Sequence, residues 1–123
     1  TGFRRDAAAL IGALDINTAP SRGREGLTKT IIEGMVQGVP AVVSTAGGLP
    51  EMVDDGRSGY IFDIDDAPCF TERLKHLIEF ADRRKLMGER GRQIAADRFS
   101  IEQTIEATKT LYAELVNQDR GGK

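Results

Sequence analysis

The stretch best suited to chemistry is residues 23–30, Gly-Arg-Glu-Gly-Leu-Thr-Lys-Thr, which differs at one position from the phosphate-binding loop G-x-x-x-x-G-K-[ST]. In that loop, backbone N–H groups surround the phosphates, and the glycine before the lysine lets the backbone approach them closely. Thr28 replaces this glycine with a β-branched residue. Asp63, after an apolar run, is only a weak candidate for the metal-binding carboxylate that such sites use. The stretch therefore favours a different kind of phosphate site.

Two carboxylates, Glu25 and Glu33, bracket the start of a predicted helix, with seven residues between them. If the whole span were helical, their backbones would lie about 12 Å apart at about 1.5 Å per residue. Paired carboxylates of glycoside hydrolases lie only about 5–9.5 Å apart. The spacing better fits two separate contacts on one long ligand. The helix N-terminus between them offers free N–H groups and a positive dipole end, which suit a diphosphate.

Other residues near this segment are weaker candidates. Arg22, Arg24 and Lys29 are loop or helix-start cations that could contact phosphate, although exposed cations of this kind are common. Gly47 and Gly48 form a turn after a buried strand, and they would border a pocket at the carboxyl end of that strand.

Four further polar residues have simpler interpretations. Glu51 and Asp54 near a short helix are expected to act as capping or dipole residues. His76 falls opposite the apolar face of its predicted helix and should be exposed. Cys69 is expected to be a small core residue.

Apolar periodicity divides the chain into alternating strands and helices. Strands are predicted at 16–19, 40–44 and 60–62, and helices at 6–14, 49–53, 66–81, 82–98 and from 101 onward. A further helix contains the apolar stripe Ile31, Ile32, Met35 and Val36. This order predicts an α/β fold, a Rossmann-like parallel sheet with flanking helices. Three strands are few for such a sheet, so residues 1–116 are expected to be part of a larger domain, followed by a polar tail at 117–123.

Composition excludes several functional classes. The 123 residues include 40% hydrophobic and 29% charged residues, and the net charge of −2 gives no basic footprint for nucleic acid. No apolar run reaches the roughly 20 residues that span a bilayer. The single cysteine cannot form an internal disulfide, which suits a reducing cytoplasm. One histidine and one cysteine make a zinc site improbable, and no metal cofactor is expected.

An ordered set of short motifs resembles the C-terminal half of group 1 glycosyltransferases, retaining enzymes with the two-domain GT-B architecture. Individually weak, these motifs are specific as a series that extends from Gly2 to about Leu115. They are Gly2-Phe-Arg-Arg-Asp6, Pro20-Ser21, Glu25-x7-Glu33, Gly38-Val-Pro40-Ala-Val-Val, Gly47-Gly48-Leu-Pro50-Glu51, Asp55-Gly56-x-x-Gly59, Met87-Gly88 and Phe99-Ser100-x-Glu102.

The resemblance implies that this half binds a nucleotide-sugar donor, and that the full-length enzyme transfers the sugar to an acceptor with retention at the anomeric carbon. Glu25 would face the donor sugar as the catalytic residue, and Glu33 would accept hydrogen bonds from the ribose hydroxyls. Backbone amides around Gly26, Leu27 and Thr28 would approach the sugar and the diphosphate. Basic side chains and helix dipoles would stabilise the leaving group without a metal.

The resemblance also implies parts that lie upstream, namely the acceptor-binding half and the family's phosphate-gripping Arg and Lys. The acceptor would be a saccharide or a lipid-linked molecule, and the full-length enzyme could associate peripherally with the inner face of the membrane. Many members have Glu-Gly-Phe-Gly-Leu-Pro where this chain has Glu25-Gly-Leu-Thr-Lys-Thr30. Three alternatives stay open: a sugar-nucleotide epimerase of the same architecture, a binding-only nucleotide module and a P-loop nucleotide hydrolase.

Overall fold

The computed structural model describes residues 4–23 and 25–121. Gly2 and Phe3 of the first motif, Arg24 and the last two residues lie outside this range. The elements in chain order are α1 (Ala7–Gly12), β1 (Asn17–Ala19), α2 (Lys29–Val36), β2 (Ala41–Ser44), a 3-10 helix (Leu49–Met52), β3 (Gly59–Phe62), α3 (Ala67–Glu79), α4 (Ala81–Arg98) and α5 (Ile101–Gly121).

The three strands form one parallel sheet in the order β1-β2-β3. Asn17 pairs with Ala41 across β1 and β2, and Ala41 pairs with Gly59 across β2 and β3. Parallel neighbours require crossover connections. Helix α2 connects β1 to β2, and the 3-10 helix lies between β2 and β3. The predicted parallel, adjacent strands are thereby confirmed, with boundaries that agree within one residue.

Alternating side chains of the central strand β2 divide the core into two layers. Ala41 and Val43 pack on one face with residues of α2, the 3-10 helix and α4. Val42 packs on the other face with Tyr60 and Phe62 of β3 and with residues of α3 and α4. All four residues of β2 are buried, as expected for the central strand of a parallel sheet covered on both faces.

Helix α2 is tied to the sheet at its start. Asn17 of β1, only 5% exposed, donates a hydrogen bond from Nδ2 to the carbonyl oxygen of Thr30 at 2.9 Å. The same helix places Ile31 and Met35 in the core, where each is 1% exposed. Ile32 is only partly buried, and the prediction that Val36 belongs to the buried stripe is wrong, because Val36 lies on the outer side and is 54% exposed.

Several predicted boundaries of the helices need correction. The segment 49–53 forms a 3-10 helix that ends at Met52, and the first helix is shorter than predicted at both ends. Phe80 is non-helical and separates α3 from α4. Helix α5 continues to Gly121, so residues 117–121 are helical rather than part of a tail. It is capped at its start by Ser100, whose Oγ accepts a hydrogen bond from the N–H of Gln103 at 3.2 Å.

Candidate functional site

The loops that follow the three strands meet at the carboxyl edge of the sheet. Ser44, at the end of β2, donates a hydrogen bond from Oγ to the carbonyl oxygen of Ser21 at 2.7 Å. The N–H of Gly48 donates to the carbonyl oxygen of Glu25 at 2.8 Å. These two bonds bring the loop after β1 against the turn after β2, at the edge where open parallel sheets bind ligands.

Gly47 makes this close approach possible. Its φ of +53° lies in the left-handed region, which glycine adopts at little cost. A Cβ added at Gly47 would lie 1.9 Å from the carbonyl oxygen of Glu25, so no other residue fits without moving the backbone. Gly48 likewise lies against the backbone of Gly26. The sequence placed Gly47 and Gly48 beside the pocket, and the structure brings them together with Glu25 and Gly26.

The side chain of Glu25 is exposed at this junction. Its Oε1 accepts a hydrogen bond from the Oγ of Ser21 at 3.0 Å. This bond orients the carboxylate, and Oε2 has no hydrogen-bond partner among the described residues. Ser21 entered the sequence analysis only as part of the Pro-Ser motif, because nothing in the spacing shows that its hydroxyl turns back to a glutamate four residues later.

The start of α2 breaks two rules of helix stability. Thr28 is the N-cap, but its side chain makes no capping hydrogen bond, and its Oγ1 is buried without a partner among the described residues. The first turn contains no acidic residue and begins instead with Lys29. The first N–H groups of any helix have no partner within the helix, and an anion is favoured beside them. This end of α2 can therefore receive an anionic ligand.

Glu33 lies one turn further along α2 and is the better covered of the two glutamates. Its side chain is 26% exposed, although it points away from the core residues Ile31 and Met35. The Nζ of Lys29 lies 3.5 Å from its Oε1, an ion pair of the i,i+4 type. The candidate phosphate contact Lys29 is thus placed beside the candidate ribose contact Glu33, while its own side chain remains 88% exposed.

The remaining candidates of the loop after β1 are placed only in part. Leu27 is 53% exposed beside Gly26 and Gly48, whereas Arg24 lies outside the described residues. The Nη1 of Arg22 lies 2.6 Å from Oδ1 of Asp65, which follows β3. Both of these side chains are more than two-thirds exposed. Asp65 was not predicted; its position after a parallel strand was the one available signal.

A groove with a volume of about 580 Å³ lies elsewhere, between β3 and α3. His76 is half-buried there, and its Nδ1 lies 2.8 Å from the hydroxyl of Tyr60. The prediction that His76 is simply exposed is therefore wrong, because the edge strand β3 brings Tyr60 against it. Cys69 is only partly buried, at the margin of the core cluster. The guanidinium of Arg73 lies 4.5 Å from the centre of the Tyr60 ring.

The acidic residues around the 3-10 helix have structural contacts. Glu51 lies in the first turn of that helix, consistent with the dipole interpretation. Asp54 forms ion pairs with Arg90 and Arg98 of α4. Within residues 4–23 and 25–121, no group of three or more His, Cys, Asp or Glu side chains could hold a metal ion. Over the same residues, no helix is long and apolar enough to cross a membrane.

Comparison with known proteins identifies the class of protein. The family model of glycosyl transferases group 1 matches residues 1–79, more than half of the chain. The chain therefore belongs to the group 1 glycosyltransferases. Its Rossmann-like sheet and flanking helices are those of GT-B enzymes, as the resemblance implied.

Individual relatives support this assignment. N-acetyl-α-D-glucosaminyl L-malate synthase of Bacillus anthracis is 26% identical over 122 residues, covering 99% of the chain and 32% of that protein. D-inositol 3-phosphate glycosyltransferase of Corynebacterium kroppenstedtii is 33% identical over 113 residues, covering 92% of the chain and 25% of that protein. Among solved structures, HepE of Anabaena in complex with UDP-glucose superposes with a TM-score of 0.83 at 26% identity, covering 92% of the chain and 31% of HepE. The chain thus spans about a third or less of the length of these relatives.

Proposed function

We propose that this chain is part of the donor-binding half of a retaining glycosyltransferase, and that the whole enzyme transfers a sugar from a nucleoside-diphosphate sugar to an acceptor. The observation that supports this most directly is the uncapped start of α2, which lies between the carboxylates of Glu25 and Glu33. Such a helix end favours an anion. The UDP-glucose complex of HepE supports a nucleotide sugar as the donor.

Each candidate residue has a distinct role in this proposal. Glu25 contacts the donor sugar, and Glu33 accepts hydrogen bonds from the ribose hydroxyls. Backbone N–H groups of Gly26, Leu27 and Thr28 approach the sugar and the diphosphate. Lys29 and Arg24 are the cations that contact phosphate. Gly47 and Gly48 border the pocket because they hold the Glu25 loop in place.

The chemistry follows from where charge develops. When the bond between the anomeric carbon and the diphosphate breaks, the sugar becomes more positive and the leaving diphosphate more negative. A carboxylate at Glu25 stabilises the former, and N–H groups at the start of α2 with Lys29 stabilise the latter. In the proposal these groups suffice without a divalent metal. Transfer proceeds with retention of configuration at the anomeric carbon.

The acceptor and the cellular setting depend on the rest of the enzyme. In the proposal, a separate N-terminal domain binds a saccharide or lipid-linked acceptor, in polysaccharide or glycolipid biosynthesis. The enzyme acts in the cytoplasm, and a lipid-linked acceptor would bring it to the inner face of the membrane as a peripheral protein.

The alternatives have less support. A sugar-nucleotide epimerase needs a histidine near the sugar; the chain's single histidine, His76, contacts Tyr60 in the groove between β3 and α3, so that histidine would have to come from the rest of the enzyme. A P-loop hydrolase needs glycine where Thr28 forms the N-cap of α2. A module that binds nucleotide without catalysis differs from the proposal only in turnover, so activity measurements must separate them.

The test uses the full-length protein with Glu33→Ala and Glu25→Ala. A hydrogen bond to a charged group contributes about 1.5–3 kcal/mol, or about 10- to 150-fold in affinity. Glu33→Ala should weaken nucleoside-diphosphate binding by about that factor in calorimetry. The loss should shrink for the 2′,3′-dideoxy analogue, which lacks the hydroxyls that Glu33 would bind. Glu25→Ala should leave nucleotide affinity nearly intact and depress turnover, because its contact is made at the reacting sugar.

Glu114→Ala on the exposed face of α5 is the matched control, and it should change neither quantity. Equal losses for the ribose and dideoxy nucleotides would refute the role of Glu33. Unchanged turnover of Glu25→Ala would reduce Glu25 to an ordinary charge near a helix end. Binding without any transfer by the wild-type protein, across donors and acceptors, would favour the binding-only module.

A further inference from the structure

Lys29 carries a charge that is unfavourable for helix stability at the position it occupies in α2. It is the first residue of α2, where the helix dipole makes a positive charge unfavourable. Residues that break a local rule are expected at functional positions.

The position of its ammonium suggests what it does. Nζ lies 3.5 Å from Oε1 of Glu33, whose side chain is about three-quarters covered. An ammonium has three N–H donors and a carboxylate has two oxygens. This pairing uses one oxygen of Glu33, so the exposed ammonium of Lys29 keeps N–H donors for a second partner and Glu33 keeps Oε2 to accept hydrogen bonds.

A ligand with both ribose and diphosphate would create an electrostatic conflict here. Glu33 is one turn from the start of α2, about 6 Å along the axis at about 1.5 Å per residue. A diphosphate at that start and the carboxylate of Glu33 would repel each other over this distance. Lys29 begins α2 and contacts Glu33, so its ammonium can reach both negative groups.

We propose that Lys29 couples recognition of the two parts of the nucleotide, an inference that rests on the function proposed above. Its ammonium offsets the repulsion between the Glu33 carboxylate and the diphosphate. It also holds that carboxylate in place for the ribose. Lys29 thereby makes the site selective for an intact nucleoside diphosphate over the nucleoside alone. It is a specificity-determining residue that acts through its charge.

The experiment measures dissociation constants of UDP, GDP and ADP, and of the matching nucleosides, for the full-length protein. The diphosphate that binds most tightly is carried forward with its nucleoside. Lys29→Met should weaken the diphosphate about tenfold and the nucleoside less than about threefold. In a Glu33→Gln background, the same change should weaken the diphosphate only about threefold, because no carboxylate remains to be neutralised. Lys29→Arg should retain most of the affinity.

Lys109→Met is the matched control, since Lys109 pairs with Glu106 at 3.2 Å on α5 in a similar helical ion pair. It should change neither affinity, and unaltered thermal melting should accompany every variant. If Lys29→Met costs the same factor with glutamate and with glutamine at position 33, Lys29 contacts phosphate independently and the coupling is wrong. If Glu33→Gln weakens the nucleoside but Lys29→Met changes nothing, the coupling fails and Lys29 loses its phosphate role, while the donor-binding function stands. If the wild-type protein binds none of the diphosphates, both proposals fall.

Discussion

Helices α4 and α5 differ in a way that their sequences do not suggest. Helix α4 (Ala81–Arg98) is rich in arginine and acidic residues, yet it buries Met87, Gly88, Gly91, Ile94 and Ala95. Helix α5 (Ile101–Gly121) has more large apolar residues, yet every one of them through Val116 is about half exposed or more. Burial in this molecule therefore depends on whether a complementary surface is present, and apolar content alone is a poor guide to it.

Small residues explain why α4 packs so closely. Gly88 lies against the turn that follows α2, where an added Cβ would come within 1.9 Å of the carbonyl oxygen of Gly38. Gly91 lies beside Met35 of α2. The guanidinium groups of Arg90 and Arg98 reach Asp54, so the polar side of the helix is anchored as well. The described part of the chain offers α5 no comparable surface.

The largest expected difference between the two helices comes from truncating one isoleucine on each. Ile94 in α4 is 3% exposed, and Ile105 in α5 is 49% exposed. Ile94→Ala should lower the free energy of unfolding of the 123-residue chain by about 2–5 kcal/mol, because it leaves a cavity in the core. Ile105→Ala should change it by less than about 0.5 kcal/mol. Urea denaturation followed by circular dichroism measures both, and similar losses would mean that α5 is packed in solution.

A second comparison uses two glycines of α4 and tests how closely this helix approaches α2 and the turn after it. Gly88→Ala should destabilise the chain by about 3 kcal/mol, since its methyl group meets a main-chain oxygen that cannot rotate away. At Gly91, the nearest atom to an added Cβ is Cγ of Met35 at 3.7 Å, an ordinary contact. Gly91→Ala should therefore stabilise the chain by about 0.5–1 kcal/mol through helix propensity. The changes in the free energy of unfolding should therefore have opposite signs in the same denaturation series. A loss of stability at both positions would show that the interface between α4 and α2 tolerates no added methyl group.

These contrasts also show what the sequence could predict of the fold. The three strands are predicted to within one residue. Each is an apolar run bounded by turn residues, and both apolar periodicity and turn residues are local signals. The exposure of Val36 and the half-burial of His76 were missed. Val36 is the last residue of α2 and lies on its outer side. The half-burial of His76 depends on its contact with Tyr60, 16 residues earlier in the chain, which no local period specifies.

The candidate site likewise contains contacts that the sequence predicts and contacts that it does not. The convergence of Glu25 with Gly47 and Gly48 was predictable, since the carboxyl ends of parallel strands meet at one edge. The contacts of Ser21 with Glu25 and of Arg22 with Asp65 were not, because they depend on the path of an irregular loop. The Lys29–Glu33 pair is predictable from its i,i+4 spacing alone, since residues four apart on a helix are neighbours.

The smallest expected effect separates the ionic anchors of the two helices. Asp54, whose side chain is 25% exposed, lies 3.8 Å from Arg90 and 3.5 Å from Arg98, whereas Glu106 has one exposed partner, Lys109, on its own helix. Asp54→Asn should lower the free energy of unfolding by about 0.5–1 kcal/mol, and Glu106→Gln by no more than about 0.3 kcal/mol, since exposed pairs contribute little after solvent screening.

At about 1 M NaCl the Debye length falls to about 3 Å, so both losses should shrink. The Asp54→Asn loss should remain the larger, because Asp54 joins the segment before β3 to α4 and Glu106 joins α5 only to itself. If urea denaturation in high salt reversed that order, the inference that Asp54 anchors α4 through ion pairs would be wrong. The packing around Gly88 and Ile94 would then be sufficient to account for the position of α4.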